Sequence, residues 1–289
     1  MLPALLLLAA VAAQDTTVPV QRGDRLRLDT HEGSITVRTW TRSDVRVSAS
    51  GADDDERVRV TRSGGTVTVR TDSRWGAPSE ADYELTVPAW LGLTLETVEG
   101  DITVTGAGAP LALTTVQGDI SVTGGTGTVT ITAVDGDVVL RDASGNVSVT
   151  AVNGDVEIRG ARGPIAAGST NGDVLLLDVA SSAVQASSVN GDVTFGGPVE
   201  AAGRYTLGTH NGDVTIGVQD GASATVSVNT FMGDFVADFP VRLTGTRPQR
   251  HFSFTLGGGG ARIELESFQG TIRLARPAAI TRAGRAGDD

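Results

Sequence analysis

A Gly-Asp pair returns at a nearly fixed interval along this chain, and no other feature restricts its fold as strongly. The glycines are Gly100, Gly118, Gly136, Gly154, Gly172, Gly191, Gly212 and Gly233, spaced by 18, 18, 18, 18, 19, 21 and 21 residues. The aspartates that follow them are Asp101, Asp119, Asp137, Asp155, Asp173, Asp192, Asp213 and Asp234. An interval of this size marks a repeat architecture, in which each unit buries its apolar residues only against its neighbours. The apolar positions keep the same frame. Val156 and Ile158 lie two and four residues after Gly154, and Val147 and Val149 lie seven and five before it. Each unit therefore holds two strands of alternating pattern.

Asn153-Gly154 is also a strong signal for a tight hairpin. Such a hairpin would put Val152 and Asp155 on one face and Val156 on the other, breaking the apolar stripe in every repeat. A chain that runs on through the corner would keep Val152, Gly154, Val156 and Ile158 inward and turn Asn153 and Asp155 to water. The second arrangement keeps the core whole. It predicts an all-β fold, a right-handed parallel β-solenoid resembling a single-stranded β-helix, with about 18–21 residues per coil. Glycine is required at each corner because a side chain would crowd the interior or because φ turns positive. The same template fits around Gly33, Gly65 and Gly270, which predicts one continuous structure with longer excursions near its ends.

The division expected from these patterns is a signal peptide over 1–13, an amino-terminal β region of irregular coils or cap over 14–88, a solenoid over 89–274 and a disordered tail over 275–289. The opening MLPALLLLAAVAAQ has the short apolar core and small residues of a secretory signal. It implies an extracytoplasmic location: periplasmic, cell-surface or secreted. No later segment reads as transmembrane. The formal charge of −11 argues against a nucleic-acid partner. The absence of cysteine excludes disulfides, thiolate zinc sites and a cysteine nucleophile.

Where the interval stretches to 21, the extra residues fall between the first and second strands, at 196–204 and 217–225. One corner is thus fixed in length and the opposite corner varies, and loops on a rigid scaffold are where binding usually resides. The aspartate column carries the other chemical signal. Carboxylates ~4.8 Å apart repel by about 1 kcal/mol in bulk water, so they must stay hydrated, recruit cations or cap turn N–H groups. Turn capping is the favoured reading. Calcium binding by the column is the weaker alternative, and no catalytic residue is assigned. His31, His210 and His251 have no metal-ligand spacing to one another. The Arg22-Gly23-Asp24 tripeptide abuts a predicted strand and is discounted as an attachment motif. The aromatics Trp40, Trp75, Trp90, Tyr83 and Tyr205 are few and scattered, which argues against a sugar-processing enzyme.

Three stretches carry a family resemblance: YELTVPAWLGLTLETVEGDITV at 83–104, the recurring T-x-x-G-D-[IV] units, and GGGGARIELESFQGTIRL at 257–274. In their order they resemble the bacterial DUF4097 β-repeat proteins of adhesin type. That resemblance implies an extracytoplasmic, non-catalytic β-repeat domain at the cell surface or envelope, without cofactor, facing a protein or carbohydrate partner. A carbohydrate-active β-helix enzyme, a calcium-dependent module and an envelope-stress sensor are the alternatives.

Overall fold

Valine, isoleucine and leucine at every second position give each strand one face that water must leave, and the chain answers by piling strands in register. The computed structural model describes residues 15–50, 56–73, 81–241, 250–277 and 280. In chain order the strands are β1 Asp15–Pro19, β2 Arg25–Asp29, β3 Ile35–Trp40, β4 Asp44–Ser50, β5 Glu56–Ser63, β6 Thr66–Ser73, β7 Asp82–Pro88, β8 Gly92–Glu99 and β9 Ile102–Ala107. The regular array continues as β10 Leu111–Gln117, β11 Ile120–Gly124, β12 Thr126–Asp135, β13 Val138–Arg141, β14 Ser144–Asn153, β15 Val156–Arg159, β16 Ile165–Asn171, β17 Val174–Leu177, β18 Ala183–Asn190, β19 Val193–Gly196, β20 Arg204–Asn211 and β21 Val214–Gly217. The chain closes with β22 Ala224–Thr230, β23 Phe235–Ala237, β24 His251–Leu256, β25 Ala261–Gln269 and β26 Ile272–Ala275.

These strands form two sheets of 13. From β8 to β21 the chain alternates between them, and each strand pairs in parallel with its counterpart one coil away. The chain is therefore a parallel β-solenoid with two strands per coil. Identical frame positions stack: Val129 pairs with Val147, Val147 with Ile165, and Ile165 with Val184. Their side chains are 0–3% exposed, which puts the core in the shaft between the sheets.

The ends depart from simple progression. The coil made of β2 and β3 sits between the β6–β7 coil and the β8–β9 coil. At the other end, β25 and β26 slip between the β20–β21 coil and the β22–β23 coil. Antiparallel strands then cover the outer rungs: β4 and β1 beside β7, β5 beside β6, and β24 beside β22. An antiparallel partner blunts a parallel edge that would otherwise offer unpaired N–H and C=O groups to another chain.

Two expectations need correction. The template around Gly65 does not describe a coil: β5 and β6 form an antiparallel hairpin in one sheet, turning through Gly64 and Gly65 with φ of 57° and 79°. Nor does Val152 point inward. Ala151 is 1% exposed and Val152 is 38% exposed, so the alternation changes phase at the corner. The core stays whole because the phase change falls between the two sheets rather than within one. Val116, Val152 and Val189 share this outward position and are 39%, 38% and 45% exposed.

The segment expected to be signal peptide, 1–13, lies outside the described residues. Within the expected tail, Ala275 ends β26, and Ile280 is 4% exposed against Leu177 and Ala275. Both Ala275 and Ile280 are thus packed against the fold. The dent it fills exists because Gly196 and Gly217 lack side chains there: a Cβ on either would come within 3.0 Å of Ile280.

Candidate functional site

The Gly-Asp corner is built from backbone groups that need partners. At one rung the Gly154 N–H donates to the Asn171 carbonyl at 3.0 Å, and the Gly154 carbonyl accepts from the Ser169 hydroxyl at 2.9 Å. The Asp155 N–H donates to the Asp137 carboxylate at 2.8 Å. The same step links Asp119 to Asp101, Asp137 to Asp119, Asp173 to Asp155, Asp192 to Asp173 and Asp213 to Asp192, at 2.7–2.8 Å. Thr271 then donates its N–H to Asp213 at 2.6 Å. The structure therefore brings Asp101, Asp119, Asp137, Asp155, Asp173, Asp192 and Asp213 into one ladder. Asp234 lies one rung beyond Thr271, because the inserted β25–β26 coil separates it from Asp213.

Gly100, Gly118, Gly136, Gly154, Gly172, Gly191 and Gly212 all have positive φ, from 132° to 157°. A Cβ on any of them would come well inside 3.0 Å of the carbonyl oxygen of the preceding corner glycine. The crowding thus comes from the neighbouring coil's backbone rather than from the interior. Gly233 carries no positive φ of this kind, and its N–H donates to a different partner, the Thr230 hydroxyl at 3.1 Å.

Two further ladders brace the corner. Asn153, Asn171, Asn190 and Asn211 pass side-chain hydrogen bonds from coil to coil, starting from Asp135, at 2.6–2.8 Å. Buried hydroxyls at Thr115, Ser169, Ser188, Thr209 and Ser267 reach back to corner-glycine carbonyls at 2.7–3.2 Å. At 133 and 151 the residue is alanine, so two rungs lack that hydroxyl. Sequence reading missed both ladders, since each partner lies about one repeat away.

Electrostatics follow from the stacking. Burial pushes the Asp192 carboxyl above the usual aspartate range, and neighbouring Asp173 and Asp213 push the same way, against the Asp213 N–H bond. Among the described residues, no group of three or more His, Cys, Asp or Glu side chains is placed to hold a metal ion. The histidines stay apart: His210 stacks on Phe268 at 4.6 Å, while His251 meets Asn229. Asp24 of the Arg-Gly-Asp tripeptide is 8% exposed and engaged by Arg62 at 2.8 Å and by the Gln21 N–H at 2.8 Å, so its carboxylate is not on display.

On the opposite corner the connections vary in length, as expected, and the long ones span 197–203 and 218–223. They are pinned. The Gln219 amide bonds both the N–H and the carbonyl of Val199, at 3.0 and 2.8 Å. The buried Tyr205 hydroxyl donates to the Ser181 carbonyl at 2.8 Å and accepts the Glu200 N–H at 2.7 Å. Burial raises the Tyr205 hydroxyl above its ordinary pKa. Such loops have a fixed shape.

The same corner carries a cleft at the amino-terminal end of the rod. It encloses about 620 Å³ between the β1–β2 connection, the end of β3 and the β7–β8 connection. Its lining is Val20, Gln21, Arg22, Trp40, Thr41, Ser43, Ala89 and Trp90. The Trp40 indole donates to the Asp44 carbonyl at 2.8 Å, and the Arg42 guanidinium lies 4.6 Å over that ring. Arg22 lies 5.5 Å over Trp90. The sequence listed both tryptophans as scattered, yet adjacent rungs bring them to one opening. Aligning each with its own coil is the signal that finds them, because Trp40 pairs with Pro88, two residues before Trp90.

A second aromatic group marks the far end. Phe231 stacks on Phe268 at 4.7 Å, Phe268 on His210, and Arg250 lies 4.5 Å over Phe231. Phe231 and Met232 are 49% and 59% exposed.

No curated protein matches the chain. Solved structures show distant likeness. One is a "putative adhesin" from Bacteroides fragilis, at 16% identity and a TM-score of 0.43, with 90% of this chain and 96% of that one covered. Another is a "putative lipid binding protein" from Parabacteroides distasonis, at 10% identity and a TM-score of 0.41, with 90% and 97% covered. A third is a "putative cell adhesion protein" from Clostridium sporogenes, at 8% identity and a TM-score of 0.24, with 90% and 97% covered. No helix among the described residues is long and apolar enough to cross a membrane. The profile of the Toastrack DUF4097 family matches residues 79–163 and 165–275, more than half of the chain, and by that match the chain belongs to this family.

Proposed function

We propose that the chain is an exported, non-catalytic binding module of adhesin type. It acts as a rigid rod that presents contact groups along its variable corner to a protein or carbohydrate of the cell surface or envelope. One observation supports this above the others: the 620 Å³ cleft opens on that corner, two tryptophans line it, and no carboxylate does. Glycoside hydrolysis canonically calls for paired carboxylates beside the substrate. Here seven of the eight repeated carboxylates, Asp101 through Asp213, stand on the opposite corner, where each accepts a backbone N–H. Aromatic rings with a few convergent polar groups are what a binding cleft needs.

Rigidity belongs to the same reading. The corner ladders fix the coil-to-coil distance, and the pinned loops cannot swing, so little ordering entropy is lost when a partner docks. Affinity capture from cell-envelope fractions tests it. The wild-type chain recovers a partner, and a Trp40→Ala, Trp90→Ala double variant that melts as the wild type does recovers much less. Equal recovery by the two, or turnover of a polysaccharide panel by the wild type, contradicts the reading.

A further inference from the structure

We infer that the Trp40–Trp90 cleft takes an acidic saccharide, with a hexuronate ring against the indoles and its carboxylate on Arg22. This deepens the binding-module reading and rests on it. In a chain of net charge −11, cations near carboxylates are quickly claimed. Arg42 pairs with Asp44 at 2.8 Å, Arg62 with Asp24 at 2.8 Å, and Arg27 with Asp29 at 2.9 Å. Arg22 is exposed and has no carboxylate partner among the described residues, although Arg27, Arg42 and Arg62 on this end of the rod do. It lies over the Trp90 ring, which limits the guanidinium's motion and leaves its N–H edge open. A planar guanidinium so held matches a carboxylate by two parallel hydrogen bonds.

The rest of the lining selects the ligand's body. A guanidinium lies over each indole, Arg22 on Trp90 and Arg42 on Trp40, and the indole surface they leave exposed accepts the C–H face of a pyranose, burying apolar surface on a ring that is otherwise hydroxylated. Gln21, Thr41 and Ser43 supply an amide and two hydroxyls for those hydroxyl groups. The cleft is open, with polar groups among its lining residues, and it holds a short saccharide rather than an acyl chain. The chain's net negative charge repels a polyanion at long range, so the contact is short-ranged and depends on this one cation. Its salt dependence is accordingly shallow.

Isothermal titration of the full chain with trigalacturonate, and with a neutral glucan trisaccharide of the same length, tests the inference. Trigalacturonate binds, and the neutral sugar binds at least about ten-fold more weakly, the loss expected for one charge-assisted contact. Arg22→Gln, a change at an exposed side chain, removes that preference, read as the ratio of the two affinities within the variant, and leaves the melting temperature unaltered. Trp90→Ala weakens both sugars. Equal affinity for acidic and neutral sugars, an unaltered Arg22→Gln, or no trigalacturonate binding at millimolar concentration overturns the inference. Retained envelope capture in that last case leaves the binding-module reading standing and removes only the ligand class.

Discussion

Replacing Gly154 by alanine concentrates the structural argument in one methyl group. The new Cβ would fall well inside 3.0 Å of the Gly136 carbonyl oxygen. Relief requires the two coils to part by roughly 1 Å, beyond the soft part of the contact potential. Three cross-coil bonds join these two coils at that corner: Gly136 N–H to the Asn153 carbonyl at 2.9 Å, Val138 N–H to the Asp155 carbonyl at 2.8 Å, and Asp155 N–H to the Asp137 carboxylate at 2.8 Å. Losing or stretching two of them costs about 2 kcal/mol. Holding alanine at a positive φ costs about 1–2 kcal/mol more. The expected destabilisation is therefore about 3–4 kcal/mol, read by urea unfolding followed by circular dichroism. Gly168→Ala is the control. It sits on the outer face of β16, where the nearest atom to a new Cβ is the Ser187 hydroxyl oxygen at 3.5 Å. That variant is as stable as the wild type or more so by about 0.5–1 kcal/mol, since glycine weakens a strand. A Gly154→Ala chain within about 1 kcal/mol of the wild type refutes the corner mechanism.

Other substitutions probe the remaining contacts. Ala133→Ser and Ala151→Ser supply the hydroxyl that Thr115 and Ser169 carry on the flanking coils, and each raises stability in urea by about 0.5–1.5 kcal/mol. Tyr205→Phe leaves the Ser181 carbonyl and the Glu200 N–H without their hydroxyl partner and lowers stability by about 1–3 kcal/mol in the same assay. Asp192→Asn keeps the oxygen that accepts the Asp213 N–H but removes a charge that burial disfavours. Because the folded carboxyl's pKa is raised, the folded state holds its proton more firmly than the unfolded chain. Its contribution is therefore favourable in acid and lost as pH rises through the folded pKa. The gain in melting temperature from Asp192→Asn is accordingly largest at neutral pH and fades as pH falls into the carboxylate range.

Much of this molecule is legible in the sequence because a solenoid repeats one local rule. The frame of Gly154, Val156 and Ile158 sets strand positions, the inward face and the fixed corner, and the observed registers follow it. Topology at the ends was not legible. β2–β3 and β25–β26 carry the same local pattern as any other coil, so nothing within them says which rungs they lie between. Gly64-Gly65 fitted the template by its flanking valines, although two adjacent positive-φ glycines close a hairpin instead. Val152 was misassigned because strict alternation was carried through a corner, where a positive-φ glycine resets the phase. The candidate site was the least legible part. Trp40 and Trp90 meet only after the β2–β3 coil takes its place beside β6–β7, and no local spacing encodes that.

The account stands on the corner carboxylates acting as backbone acceptors, and thermal unfolding of a column variant tests that most directly. In this variant Asp101, Asp119, Asp137, Asp155, Asp173, Asp192 and Asp213 are all changed to asparagine, which keeps the accepting oxygen and removes the charge. The account predicts a melting temperature equal to or above that of the wild type, and the same for both chains in EDTA and in millimolar calcium. A lower melting temperature for the variant, or a wild-type chain that calcium stabilises and EDTA destabilises, would contradict it.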